Sequence, residues 1–221
     1  MPVQVAGRTV ERIAIIDDDK AVRESYEESV IEVGAEPVQE AGPLEALATF
    51  AARARDRTQA ALCDFKLRVK NYAPYDGAEL AAHWYKLGYP ALLCTKWDKA
   101  SIDEVRRYRA RIPVLIKPSE LDPERILAGL ELCISEIAGT RVPSRRVWRT
   151  LVRVEEVTDS TYRYVYVVVP GWEPNEVIGL PLVDIPEPLR PVVRPEARLY
   201  AKVNLGAETY EDLFFDEWEH A

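Results

Sequence analysis

Four short, mostly apolar runs divide the first 140 residues, and amphipathic segments separate them. Runs of this length and composition are typical of strands that are buried on both faces of a sheet. Apolar residues at helical spacing lie between the runs and predict covering helices. The sequence therefore predicts an α/β fold with a doubly wound, five-stranded parallel sheet. The predicted strands are Arg12–Ile16, Ala60–Cys63, Ala91–Cys94 and Pro113–Ile116, with a weaker fifth at Glu36–Val38.

The pattern changes near residue 140, where strand-like alternation replaces the strand–helix rhythm. We predict an antiparallel, barrel-like β domain over residues 147–221, a linker over 140–146 and a first domain over 1–139. In the second predicted strand of the β domain, Tyr162, Tyr164 and Tyr166 share one face, and Val165, Val167 and Val169 share the other. The predicted strands of the β domain are Val147–Val157, Thr161–Val169, Val177–Val183 and Leu199–Leu205, with the segment LFFDEW last.

Composition excludes several functions. The chain has 221 residues and a formal net charge of −8, which argues against a protein that binds nucleic-acid phosphates. Its only histidines are His83 and His220, too few for imidazole-based metal sites or catalysis. Cys63, Cys94 and Cys133 lie singly in apolar runs, as reduced core thiols do. We expect a cytoplasmic protein, because no apolar run is long enough for a membrane span or a signal peptide.

Polar side chains follow the apolar runs at the point where each predicted strand ends. Because the carboxyl ends of parallel strands meet at one edge of the sheet, these side chains should lie close together. Crowded carboxylates raise each other's pKa unless a cation joins them, and hard oxygen ligands suit Mg²⁺. A lysine and a hydroxyl for anionic oxygens complete a set equipped for phosphoryl transfer. The residues are Asp17, Asp18 and Asp19, then Asp64, Thr95 and Lys117.

Residues 12 to about 139 resemble the CheY-like receiver domain of response regulators in bacterial two-component signalling. The resemblance is carried by the opening IAIIDDDKAVRES, by the strand-end residues, by the dipeptide Lys117-Pro118 and by Tyr75-Asp76-Gly77. It implies a flavodoxin-like fold and a phosphoprotein that accepts its phosphoryl group from a sensor histidine kinase or a phosphotransfer protein. Such a protein modifies itself and is not an enzyme acting on a free metabolite.

The resemblance also implies a role for each site residue. Asp64 would be the phospho-acceptor, Lys117 the partner of a phosphoryl oxygen and Thr95 the switch hydroxyl. The ligands of Mg²⁺ would be Asp17, Asp18, Asp64 and the backbone carbonyl of Lys66.

Three features depart from the family pattern. The loop 65–75 is longer than usual and carries Lys66, Arg68 and Lys70. Val114 stands where an aromatic residue often reports activation, and the bulky Trp97 follows Thr95 closely. The first two departures leave open whether the phosphorylation switch works.

Alternative functions follow from other readings of the same residues. Asp17 and Asp19 form the Asp-x-Asp of haloacid-dehalogenase-type phosphatases, although that reading leaves Asp64 without a role. A receiver that is silent in phosphorylation would make the chain an adaptor. The β domain could bind oligonucleotides through its tyrosines and a basic cluster of Arg141, Arg145, Arg146 and Arg149. Residues 141–221 hold ten basic and fourteen acidic residues, so an unidentified downstream protein is the favoured partner.

Overall fold

The computed structural model describes residues 2–96, 99–158 and 163–221, and the chain forms two compact units. The N-terminal unit comprises Met1–Lys96 and Arg111–Thr140, and the C-terminal unit comprises Trp97–Ala110 and Arg141–Ala221. The segment 97–110, which chain order assigns to the first predicted domain, thus groups with the second unit. The elements are β1 (Val3–Val5), β2 (Arg8–Val10), β3 (Arg12–Ile16), α1 (Lys20–Val33), β4 (Glu36–Glu40), α2 (Leu47–Arg57), β5 (Ala60–Cys63), α3 (Gly77–Lys86), β6 (Ala91–Cys94), α4 (Lys99–Arg109), β7 (Leu115–Ile116), α5 (Pro123–Ile137), β8 (Trp148–Val157), β9 (Tyr164–Val169), β10 (Glu173–Pro181), β11 (Arg198–Val203) and β12 (Phe215–His220).

The N-terminal unit is built on a parallel five-stranded sheet of order β4-β3-β5-β6-β7. Counted from the first strand of this sheet, the order is 2-1-3-4-5, which defines the flavodoxin-like doubly wound fold. The predicted fold of this part is therefore confirmed. The last strand is shorter than predicted and contains only Leu115–Ile116. Pro113 has no amide hydrogen to donate to the ladder, so the prediction of a strand from Pro113 was wrong.

Helices cover both faces of this sheet. Ile13 and Ile15 of β3 belong to a buried cluster with Val30 of α1 and with Ile126 and Leu130 of α5. On α2 and α3, the buried rings of Phe50 and Trp84 lie 6.0 Å apart. Two of the helix ends have a local cause in the sequence. Gly34 ends α1 in the left-handed conformation, and the Asp122 side chain accepts a hydrogen bond from the Arg125 amide at 2.7 Å to begin α5.

The C-terminal unit contains an antiparallel sheet of order β10-β9-β8-β11-β12, as predicted for this region. Val165, Val167 and Val169 of β9 are buried in its core beside Val152 and Leu199. Tyr164 and Tyr166 lie on the opposite face, with ring centroids 6.5 Å apart. Thr161 and Tyr162, the first two residues of the predicted strand Thr161–Val169, lie outside the described residues.

Helix α4 is an integral part of the C-terminal unit. Its Arg106 is 2% exposed and donates hydrogen bonds to the backbone carbonyls of Tyr210 at 2.9 Å and Leu213 at 2.6 Å. Asp103 lies within hydrogen-bonding distance of Arg106 at 3.4 Å and accepts a hydrogen bond from the Tyr210 hydroxyl at 2.5 Å. A Cβ at Gly179 of β10 would lie 2.9 Å from an Asp103 oxygen, so glycine permits this close approach.

The basic cluster that the sequence suggests near residue 145 is divided by burial. Arg145 is 5% exposed; its guanidinium lies over the Phe214 ring and donates to the Arg109 carbonyl at 3.1 Å. Arg149 is exposed and pairs with Glu219 at 2.8 Å. Only part of the cluster is thus available to a nucleic acid. Within the described ranges, none of the helices combines the length and apolar character needed to cross a bilayer.

Candidate functional site

The carboxyl ends of β3, β5 and β6 bring three of the predicted site residues together. The Asp64 amide donates to the Ile16 carbonyl at 2.8 Å, and the Thr95 amide donates to the Ile116 carbonyl at 3.0 Å. These bonds continue the ladders by one residue beyond the strands. Asp17, Asp64 and Thr95 therefore emerge side by side at one edge of the sheet.

Asp17 is a buried carboxylate at this edge, 6% exposed, and its pKa is raised to about 6. Burial is the largest cause of the rise, and the charges of Asp64, Asp18 and Asp19 contribute to it. A hydrogen bond from the Asp19 amide at 2.8 Å opposes the rise. A carboxylate in this position favours a bound cation, because a cation would reverse the repulsion.

Asp64 is held in place by neighbouring donors. Its carboxylate accepts a hydrogen bond from the Lys66 amide at 2.9 Å, and the neighbouring Thr95 hydroxyl donates to the Lys96 carbonyl at 3.3 Å. Burial raises the Asp64 pKa, and the interactions of the carboxylate with the Thr95 side chain and the Lys66 and Phe65 amides oppose the rise. The result is a fixed carboxylate beside a buried hydroxyl, as a nucleophile with a neighbouring oxyanion partner requires.

Gly77 allows α3 to begin directly against the backbone of Asp64. A Cβ at residue 77 would lie 1.8 Å from the Asp64 carbonyl oxygen, far inside any permitted contact. The Gly77 amide donates to the Phe65 carbonyl at 2.7 Å. The Asp76-Gly77 pair quoted from the sequence thus has a steric reason: it fixes the backbone on which the Asp64 side chain stands.

The other sequence-predicted residues have different partners. Asp18 pairs with Lys70 of the long loop, with 2.9 Å between the Lys70 Nζ and a carboxylate oxygen. Lys117 is half exposed, and its Nζ lies 3.9 Å from Glu120. Asp19 caps α1 by accepting from the Ala21 amide at 2.8 Å. Asp19, the second acid of the Asp-x-Asp on which the phosphatase reading rests, is thus engaged as a helix cap.

The donor set at this edge suits a hard divalent cation in its chemistry. Asp17 and Asp64 offer carboxylate oxygens whose mutual repulsion a cation would relieve. Asp18 is engaged by Lys70, and across the described ranges no group of three or more His, Cys, Asp or Glu side chains is placed to hold a metal. Asp17 and Asp64 are therefore the carboxylates of this edge that would bind a cation without first losing an ion pair.

Sequence reasoning missed two cations beside this edge. Arg23 of α1 is buried, and its guanidinium donates to the backbone carbonyl of Asp17. The helical spacing of α1 assigned its buried face to apolar residues, which gave no signal for a buried arginine. Lys70 was noted as a charge in the long loop, but only the folded loop shows that it reaches Asp18. Trp97, expected near Thr95, lies outside the described residues.

Comparisons with known proteins were made at three levels. No protein-family model matches the chain, and no curated protein matches it. Many of the matching solved structures are CheY-like receiver domains of response regulators, and they cover about 57% of the chain.

Three of these solved structures illustrate the similarity. A receiver domain protein from Clostridium thermocellum is 9% identical and has a TM-score of 0.43, with 57% of this chain and 95% of that chain covered. A CheY-like receiver domain protein from Methanospirillum hungatei is 22% identical, with a TM-score of 0.43 and coverages of 59% and 98%. Chemotaxis protein CheY4 of Vibrio cholerae is 18% identical, with a TM-score of 0.40 and coverages of 55% and 96%.

Proposed function

We propose that residues 12–139, apart from the segment 97–110 that groups with the C-terminal unit, form a phospho-acceptor receiver domain of a two-component response regulator, with Asp64 as the acceptor. The observation that carries this proposal is the grouping of Asp64 with Asp17 and Thr95 at the carboxyl edge of a 2-1-3-4-5 sheet. In such sheets ligands bind outside the carboxyl ends of the strands, near the point where strand order reverses. Here that point lies between β3 and β5, the strands that precede Asp17 and Asp64.

The proposed reaction is an in-line phosphoryl transfer. A carboxylate oxygen of Asp64 attacks the phosphorus of a phosphohistidine; the new P–O bond forms as the P–N bond breaks, and the imidazole leaves with the electron pair. Thr95 and Lys117 hold phosphoryl oxygens in the acyl phosphate. Mg²⁺, held by Asp17, Asp18, Asp64 and the Lys66 carbonyl, would neutralise charge on the transferring group.

The proposal assigns two kinds of partner. A sensor histidine kinase or a phosphotransfer protein supplies the phosphoryl group in the cytoplasm, and the C-terminal unit contacts a downstream protein. A protein partner is supported over a nucleic acid by the acidic balance of residues 141–221 and by the burial of Arg145. The chain turns over no free metabolite in this scheme.

The test is incubation of the full chain with acetyl phosphate and Mg²⁺, followed by intact mass analysis. We expect one added phosphoryl group, removed by hydroxylamine as an acyl phosphate is and absent when Mg²⁺ is chelated. Asp64→Asn should abolish labelling, whereas Asp56→Asn, at an exposed position of α2, should label like the wild type. Labelling of Asp64→Asn at the wild-type level would refute the assignment.

A phosphorylation-independent adaptor is the second candidate, and one observation favours it. The Lys70 ammonium already neutralises Asp18, a predicted Mg²⁺ ligand. If wild-type protein remains unlabelled even at saturating Mg²⁺ and acetyl phosphate, the adaptor reading replaces the receiver reading.

A further inference from the structure

The long loop between β5 and α3 places a lysine ammonium on the acidic edge of the sheet. Lys70 Nζ lies 2.9 Å from Asp18 Oδ2, and the two side chains are 68% and 15% exposed. The lysine is open to solvent while its carboxylate partner is largely covered. The ion pair therefore closes the solvent side of Asp18.

The loop is anchored on both sides of Lys70. Before it, Arg68 pairs with Asp76 at 3.0 Å and donates to Glu79 at 2.5 Å, which ties the loop to the start of α3. After it, the Tyr72 hydroxyl donates to the Glu40 carbonyl, at 2.5 Å. These anchors leave Lys70 on a short, fixed stretch of backbone.

The backbone at Lys70 is itself unusual. Lys70 and Asn71 have φ values of 51° and 58°, and both residues lie in the left-handed region within a 3₁₀ turn over Val69–Asn71. Non-glycine residues adopt this region only where surrounding contacts hold them there. The anchored loop thus supplies a specific direction for the lysine side chain.

We propose that Lys70 is a tethered cation that competes with Mg²⁺ for Asp18, so that metal binding requires the lysine to leave this carboxylate. This inference rests on the proposed function, since it concerns the metal of the same site. A second positive charge at 2.9 Å from the ligand oxygen opposes the approach of a divalent ion. The lysine thereby sets the Mg²⁺ concentration at which the site fills.

The direct test is Mg²⁺ titration by isothermal calorimetry on the full chain without any phosphoryl donor. Lys70→Met keeps the apolar stem and removes the charge. We expect the Mg²⁺ dissociation constant to fall about threefold to fivefold, the range that an exposed ion pair permits. Lys70→Arg keeps the charge and should retain affinity within twofold of the wild type.

Lys20→Met is the matched control, because it removes an equal charge beside the same acidic triplet. Lys20 pairs with Glu24 at 3.1 Å and not with the acidic triplet. The Mg²⁺ affinity of Lys20→Met should therefore stay within twofold of the wild type. Added potassium chloride should reduce the difference in Mg²⁺ dissociation constant between Lys70→Met and the wild type, since salt screens an exposed ion pair. Equal affinities of Lys70→Met and the wild type would overturn the inference and leave the proposed function intact. Absence of Mg²⁺ binding in both proteins would overturn the inference and the metal part of the proposed function together.

Discussion

The acidic edge of the N-terminal unit and the cluster around Arg106 in the C-terminal unit are both buried groups of charged side chains. At the acidic edge, carboxylates face one another and burial raises the pKa of Asp17 to about 6. Around Arg106, a cation, the Asp103 carboxylate and the Tyr210 hydroxyl are joined by hydrogen bonds. Burial and like charges oppose ionisation in the first group, whereas hydrogen bonds join opposite charges in the second.

This difference separates a site from a scaffold. A buried ion pair with its hydrogen bonds made is strongly destabilising to break, because the remaining partner is left as an uncompensated charge. A group of like charges has the reverse property, since removing one member relieves repulsion. Residue type alone does not distinguish the two cases, because each cluster contains a buried aspartate, Asp17 in one and Asp103 in the other.

The largest expected effect is at Arg106. Arg106→Met should destabilise the C-terminal unit by about 3–5 kcal/mol, because Asp103 loses its cation and two backbone carbonyls lose their donor. Hydrogen exchange followed by mass spectrometry should show protection in β11 and β12 falling at least 100-fold. Peptides from β3 and β5 should keep most of their protection.

Arg107→Met is the control for that substitution. Arg107 is exposed, and its guanidinium lies 4.6 Å from the centre of the Tyr108 ring. A cation–π contact at an exposed position is worth about 0.5–1 kcal/mol, so protection should change less than tenfold. Equal losses in the two variants would show that Arg106 has no special role in the unit.

The next effect has the opposite sign and concerns Asp17. Its pKa is 3.8 in the unfolded chain and about 6 in the folded one, so the folded state binds more protons between these values. Stability contributed by this group is therefore present at low pH and is lost as pH rises through about 6. In metal-free buffer at pH 7.5, Asp17→Asn should raise the free energy of unfolding by about 2–3 kcal/mol.

Urea unfolding between pH 4.5 and 7.5, with a chelator present, measures this effect. The free energy of unfolding of the wild type should fall as pH rises across that range, and that of Asp17→Asn should fall much less. Asp103→Asn is the matched substitution in the other cluster, and there the loss of charge-assisted hydrogen bonds should cost about 1–3 kcal/mol. If Asp17→Asn and Asp103→Asn changed the free energy of unfolding in the same direction, the two clusters would not differ in their effect on stability.

Sequence reasoning succeeded where burial alone decides the structure. The strands Arg12–Ile16, Ala60–Cys63 and Ala91–Cys94 match their predicted limits, because a run buried on both faces has no competing pattern. The hairpin of β1 and β2 was missed, although alternating valines flank Ala6-Gly7 and both residues have positive φ. The glycine of Ala6-Gly7 between two short valine-containing runs is a hairpin signal that the sequence contains.

The site was predicted less completely, for a physical reason. Strand ends converge by topology, so the grouping of Asp17 and Asp64 follows from chain order. The partner of Asp18 does not, because Lys70 reaches it only through the folded path of a long loop. In the same way, the amphipathic pattern of α4 predicts a buried face. The local sequence does not predict that β10 and the carbonyls of Tyr210 and Leu213 cover that face.

The smallest expected effect comes from Arg149, which shares a sequence cluster with Arg145. Arg149 pairs with Glu219 and lies 3.7 Å from the centre of the Tyr200 ring, but it is exposed, and exposed pairs contribute little to stability. Arg149→Gln should leave the urea midpoint of the C-terminal unit unchanged within error. Arg145→Gln should lower that midpoint clearly, since the buried guanidinium holds the Arg109 carbonyl.

In mobility-shift assays at low salt, the wild type and Arg149→Gln should both leave mixed oligonucleotides unshifted. A salt-dependent shift that Arg149→Gln abolishes would instead make this exposed arginine part of a phosphate-binding surface.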